Sequence, residues 1–159
     1  MTQGRSEQSS SIDPATDPAS ASALEWLADW GAEVLAVRLD EAKARFDADV
    51  SAFGTYSDVL HGLDELHARQ WSRVWPTIED FAFDLAATEV LVSPDGVQAV
   101  LVAPWTSTGI AEDGSRFDRP GRATIVVRRT ATDAAWFGVH THFSLARGVP
   151  QQSFGSTAR

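Results

Sequence analysis

Trp136-Phe137-Gly138-Val139-His140-Thr141-His142-Phe143-Ser144 alternates with a period of two, the mark of a β-strand with two distinct faces. One row holds Trp136, Gly138, His140, His142 and Ser144; the other, more uniformly apolar, holds Phe137, Val139, Thr141 and Phe143. Working outward, Ala123 to Arg129 is a second strand, joined to the first through the turn-forming Thr130 to Ala134. Val97 to Thr106 is a third, entered through Ser93-Pro94-Asp95-Gly96, whose composition is that of a hairpin turn, and left through a looser connection at Gly109 to Gly114. Val90 to Val92 lead into that hairpin, and Phe81, Phe83 and Leu85 alternate before it. Upstream the period changes to that of a helix. Leu63, Leu66, Gln70, Trp71, Val74 and Trp75 form one stripe stopped by Pro76, and Leu24, Leu27, Val34 and Leu35, with Trp26 and Trp30, form another. Between them lie a short amphipathic segment, Leu39 to Phe46, and a strand-like Val50 to Phe53 that stops at Gly54. Helices first and four long antiparallel strands after make an α+β fold, with helices packed on one face of a bent sheet.

The chain has 159 residues, which favours a single domain, with about two-thirds of its surface buried on folding. Zero cysteines exclude disulfides, thiolate nucleophiles and sulfur-rich metal sites. A net charge of −9 argues against nucleic acid as a partner, because a duplex-coating face must neutralise phosphates. No apolar run reaches the ~18 residues of a membrane span and no secretory leader is visible, so a soluble, cytoplasmic protein is expected. Residues 1–21 are Ser, Asp, Pro, Thr, Gln and Ala, a composition too polar to offset its ordering entropy and therefore expected to be a disordered tail. The Asp13-Pro14 and Asp17-Pro18 pairs are expected to break any early helix, and Ser22 with Glu25 fits a capping box that starts the ordered part. The expected organisation is thus a tail at 1–21, a domain at 22–147 and an extension at 148–159.

The strand at 136–144, with Gly121-Arg122-Ala123-Thr124 and the strand end Arg128-Arg129, resembles the terminal strands of the nuclear transport factor 2-like superfamily. More narrowly it is similar to the SnoaL-like and ketosteroid isomerase-like group and to the calcium/calmodulin-dependent kinase II association domains. Val50 to Gly54, then His61-Gly62-Leu63-Asp64 with Gln70-Trp71, matches the first strand, loop and helix of that pattern, so the resemblance spans about Leu24 to Arg147. It implies a cystatin-like α+β barrel: a cone-shaped, strongly curved antiparallel sheet wrapping the N-terminal helices, with an apolar pocket inside. It also implies a homodimer through the outer face of the sheet. The superfold hosts isomerases, dehydratases, cyclases, hydrolases and non-enzymatic binders, so it does not choose among them.

His140 and His142 share one strand face. They serve either as an acid–base pair in the pocket or as buried groups tying the last strand to the helices through hydrogen bonds. Tyr56, the single tyrosine, is a candidate hydroxyl donor, and Tyr with His is the residue set of the fold's dehydratase branch. The ketosteroid-isomerase branch places a carboxylate just after the first strand; Val50 to Thr55 has none, with Asp49 early and Asp58 late. Arg122 is a candidate for an anionic group, or else pairs at the rim with Asp118 or Glu112, and Thr124 shares its face. Trp26 with Trp30 and Trp71 with Trp75 are i,i+4 pairs that read first as core. Trp75 and Trp105, each beside a proline, are placed at the pocket mouth as ligand contacts, with Phe53. No metal site is expected, since His61 and His67 are six apart and share no helix face, and no cofactor is implied. Two functions remain open: a cofactor-free isomerase, dehydratase or cyclase acting on a small hydrophobic molecule through His140, His142 and Tyr56, or a non-catalytic homodimeric binding or association module.

Overall fold

A computed structural model describes residues 17–156. The first helix, α1 (Pro18–Leu35), begins one turn before the expected Ser22. Asp17 is its N-cap, accepting from the Ser20 amide at 3.0 Å and the Ser20 hydroxyl at 2.8 Å, and Pro18 occupies the first turn. The Asp17-Pro18 pair, expected to break a helix, instead starts one, because proline's missing N–H falls where the helix has no acceptor to offer it. The tail's expected boundary at residue 21 moves back accordingly, and residues 1–16 lie outside the described residues. Ser22 is not the cap. Its hydroxyl accepts from the Trp136 indole N–H at 2.9 Å, tying α1 to the entrance of the last strand.

Ala23, Trp26, Leu27, Trp30 and Val34 form the buried stripe of α1. Trp30 sits at its centre, with ring centroids 5.0 Å from Phe46, 5.6 Å from Phe83 and 5.6 Å from Phe143, so one side chain joins the helix to three strands. A short α2 (Leu39–Lys43) turns the chain into β1 (Phe46–Phe53), and β2 (Leu60–His61) pairs back onto it. The next helical rod runs α3 (Leu63–Leu66), a π-helical turn His67–Trp71, α4 (Ser72–Val74) and a 3-10 turn Trp75–Thr77. The Ser72 hydroxyl, donating to the His67 carbonyl at 2.7 Å, lies across the π turn. That wider turn leaves Gln70 and Trp71 both buried, though adjacent residues of a regular helix diverge by about 100°.

The remaining strands are β3 (Ile78–Phe83), β4 (Glu89–Val92), β5 (Gln98–Ile110), β6 (Arg116–Asp118), β7 (Gly121–Arg128) and β8 (Phe137–Leu145). They join β1 and β2 in one curved eight-stranded sheet ordered β2-β1-β8-β7-β5-β3, with β4 and β6 also on β5. The α+β class and the sheet packed around N-terminal helices stand. Two particulars are corrected. The sheet is mixed, because β8 pairs with β1 in parallel: the chain reaches β8 from β7 and returns to the first strand in that strand's own direction. The connection at Gly109–Gly114 is a tight turn between β5 and the added strand β6, not a loose loop. Register shifts in β1–β8, β3–β5 and β7–β8 bend the sheet where its ladders would otherwise run straight.

Candidate functional site

The concave side of the sheet, α1 and the helical rod enclose a chamber lined by Trp30, Trp71, Trp75, Phe81, Trp105 and Phe143, with Thr55, Gln70, Arg119 and Thr141 as its polar members. Its volume is about 40 Å³, against the ~300–1,000 Å³ of ordinary ligand pockets. Four tryptophans fill what would otherwise be a large cone. Trp71 and Trp75 stack at 4.8 Å and 22°, which their i,i+4 spacing on the rod allows. Trp105 lies flat across β7 because Gly121 has no side chain; a Cβ there would collide with the indole.

Arg119 is the charged residue of the chamber. It precedes Pro120-Gly121 at the start of β7, and its backbone exchanges hydrogen bonds with Ser107 in both directions. Only 2% of its surface is exposed. The guanidinium lies 5.6 Å from the centre of the Trp105 ring and donates through Nη2 to the Thr55 hydroxyl at 3.1 Å, while Nε is buried without a partner. Among the described residues no carboxylate pairs with it. Burial pushes its pKa down to about 10, so it carries its charge at neutral pH. Burying an ion costs several kcal/mol, of which a cation–π contact offsets about 2 kcal/mol.

Beyond Arg119 the chamber meets an outer groove of about 540 Å³, lined by Tyr56, Arg73, Thr77 and the segment Gln151–Phe154. That segment is fastened across the mouth: the Gln151 side-chain amide donates to the Thr55 carbonyl, Ser153 joins the Ile110 amide to the Thr77 carbonyl, and the Phe154 amide donates to the Ile110 carbonyl. Gln70 holds the opposite rim, accepting from the Ser57 amide at 2.9 Å. Gly54 admits this contact, since a Cβ there would meet the Gln70 amide at 2.6 Å.

The residues picked from sequence divide between two faces. Trp75 and Trp105 line the chamber; Phe53 touches its edge but pairs with His142 across the β1–β8 ladder, and its ring lies 4.1 Å from that imidazole on the histidines' side of the sheet. His140 and His142 point away from the chamber. The register shift in the β7–β8 ladder, where Val126 faces His140 but the next residue, Val127, already faces Gly138, resets the alternation, and Thr141 and Phe143 turn inward. The pair lies on the convex face instead, His140 Nδ1 3.1 Å from the Ser51 hydroxyl and His142 opposite Thr124. Burial, then the nearby charges of His140 and Arg122, hold the His142 pKa below its usual value. Arg122 is exposed and donates to the Leu145 carbonyl at 2.9 Å; it pairs with neither Asp118 nor Glu112. Tyr56, 61% exposed, lines the outer groove and not the chamber. Among the described residues no three His, Asp or Glu side chains gather where they could hold a metal ion, and no helix is long and apolar enough to cross a membrane.

Arg119 escapes the sequence reading, although a signal for it is present. The apolar row of β7 is Ala123, Ile125 and Val127, and counting back by twos through Gly121 reaches Arg119, not Arg122.

A match to the SnoaL-like domain model extends over residues 24–148. The chain belongs to the SnoaL-like domain family. Solved structures of the wider group share its fold. A protein from Xanthomonas campestris described as a putative calcium/calmodulin-dependent protein kinase II association domain superposes with a TM-score of 0.68 at 18% identity, over 87% of this chain and 94% of that one. A ketosteroid isomerase-like protein from Erwinia carotovora atroseptica gives 0.64 at 17%, over 84% and 98%. The S. rosetta calcium/calmodulin-dependent kinase II hub gives 0.66 at 20%, over 82% and 98%. At these identities the likeness is one of fold. No curated protein matches the sequence. The match of this SnoaL-like chain to its family ends at residue 148, so the segment across the groove mouth lies beyond it.

Proposed function

We propose that this SnoaL-like protein is a non-catalytic, homodimeric small-molecule-binding module. The observation that carries the reading is the separation of chemistry from cavity: Arg119 is the one ionisable side chain among those lining the chamber, and an arginine keeps its proton at neutral pH. General acid–base catalysis needs a group that exchanges a proton near the operating pH within hydrogen-bond reach of the substrate. His140, His142 and Tyr56 stand outside the chamber, so the isomerase, dehydratase and cyclase reading has no convergent set to work with. The small volume also disfavours a multi-ring hydrophobic substrate and favours a compact ligand.

The dimer is supported by the convex face. Leu91 and Phe137 are 53% and 42% exposed there, with Val102 also exposed, and Val100 and Val126 partly buried beside them. Exposed apolar side chains set among His140, His142 and Arg122 on one sheet face make a surface that can be buried against a partner. Among proteins of similar fold are kinase association and hub domains. The test combines two measurements on the full chain. A triple variant His140→Ala, His142→Ala, Tyr56→Phe should bind a compact non-fluorescent probe such as cyclohexanone as tightly as the parent, read by quenching of tryptophan fluorescence. Light scattering should give twice the chain mass for the parent. Loss of probe binding in the triple variant would return those side chains to the ligand site and sink the reading.

A further inference from the structure

The geometry points to a compact monocarboxylate, a single ring or short branched chain bearing one carboxylate, as the ligand of the chamber, held by Arg119. This rests on the binding reading above and names the chemical class that reading leaves open.

The first argument is the sign of the unpartnered groups. Three polar atoms of residues lining the chamber are buried without a hydrogen-bond partner: Trp30 Nε1, Trp105 Nε1 and Arg119 Nε. All are N–H donors, and among the described residues no equally buried side-chain acceptor of the lining lacks a partner. The three donors belong to side chains that line the chamber, so a ligand that reaches them presents acceptors. The second argument is charge. Thr55 takes one guanidinium proton and Trp105 offers its ring face, but neither carries the negative charge that would balance a cation buried this deeply. A water or a neutral carbonyl would satisfy donors and leave the charge uncompensated; a carboxylate does both, and takes guanidinium protons in pairs.

Size and stoichiometry narrow the class. On a measure in which one water needs roughly 10–15 Å³, the 40 Å³ chamber holds the volume of a few waters, so the ligand body is compact. Its long dimension can extend past Arg119 into the outer groove. The inner site has one positive charge, which a monoanion neutralises; a phosphate monoester, near about −2 at neutral pH, would leave net charge buried. Arg73 lies in the outer groove, apart from the chamber, and does not alter that balance. With a chain charge of −9 opposing every anion at long range, selectivity rests on Arg119 itself.

The test pairs each acid with its neutral isostere. Benzoate and benzamide, and phenylacetate and phenylacetamide, are titrated into the full chain at about pH 7.5, where these acids are ionised, reading quenching of the chamber tryptophans and the rise in melting temperature. The acids should bind saturably and at least about tenfold more tightly than the amides, the usual difference when a buried hydrogen bond is charge-assisted. Arg119→Met should abolish that preference while melting, ligand-free, no lower than the parent, because an apolar side chain of similar length removes an uncompensated charge. Equal binding of acids and amides to the parent overturns the carboxylate assignment and leaves the binding module standing. Saturable binding of neither class overturns both. Should Arg119→Met fail to fold, the contrast between acid and amide on the parent protein decides alone.

Discussion

The two faces of the β-sheet divide the chemistry of this protein unequally. The concave face is aromatic, closely filled and interrupted by one buried cation; the convex face carries the histidines, Thr124 and Arg122 among exposed apolar side chains. Residue types alone would put function on the convex side, where titratable groups gather. Position puts it on the concave side, because a charge is informative where water cannot reach it. On the outside His140 and Arg122 are bonded to Ser51 and the Leu145 carbonyl within reach of solvent, whereas inside Arg119 lacks a carboxylate partner and an ordinary hydration shell.

Substitutions on the two faces should break different properties. The largest effect is expected from Trp30→Ala, which removes the ring meeting Phe46, Phe83 and Phe143 at once. A loss of about 3–5 kcal/mol in urea unfolding is expected for a buried aromatic truncated to alanine. Gly121→Ala comes next: its methyl group would meet both the Trp105 indole and the Ser144 carbonyl of β8, so ring and strand must both shift, costing about 3 kcal/mol and reddening tryptophan emission as the ring meets water. On the convex face, Val102→Asp should leave the melting temperature within a few degrees of the parent and convert the proposed dimer to monomer in light scattering. A melting temperature that falls as far as that of Trp30→Ala would mean the two faces are not separable. The smallest effect is that of pH. His142 has a folded pKa below its unfolded value of about 6.5, so the folded state is the poorer proton acceptor. Stability should be level above about pH 6.5 and decline as pH falls from there through the depressed folded value, and His142→Gln should flatten that decline in acid titrations of the melting temperature.

Most of the fold is legible in the sequence because periodicity reports burial directly. The stripe of α1, the rod ending at Pro76 and the turn at Ser93–Gly96 all follow from spacing and turn chemistry. The parallel pairing of β1 with β8 is not, since each strand looks the same whichever way its neighbour runs. The site is half legible. Trp75 and Trp105, read as half-buried aromatics at a pocket mouth, are buried in the chamber wall instead, 6% and 2% exposed. Alternation alone does not say which row of β8 faces inward; the bulge makes Gly138 an inner residue before it and Thr141 and Phe143 the inner ones beyond it, which leaves the histidines outside. Their row is the less apolar of the two, and on a sheet with one buried face the more apolar row is the inner one. Following that rule on β7 leads to Arg119 as well.

The segment Gln151–Phe154 has a consequence for how such a protein diversifies. It spans the groove mouth with hydrogen bonds to Thr55, Thr77 and Ile110, yet lies beyond the residues shared with the SnoaL-like family. Lengthening, shortening or recomposing these few residues would resize the entrance while leaving every tryptophan of the chamber where it is. Access to the chamber is thus set by a stretch separate from the one that builds its walls and holds Arg119.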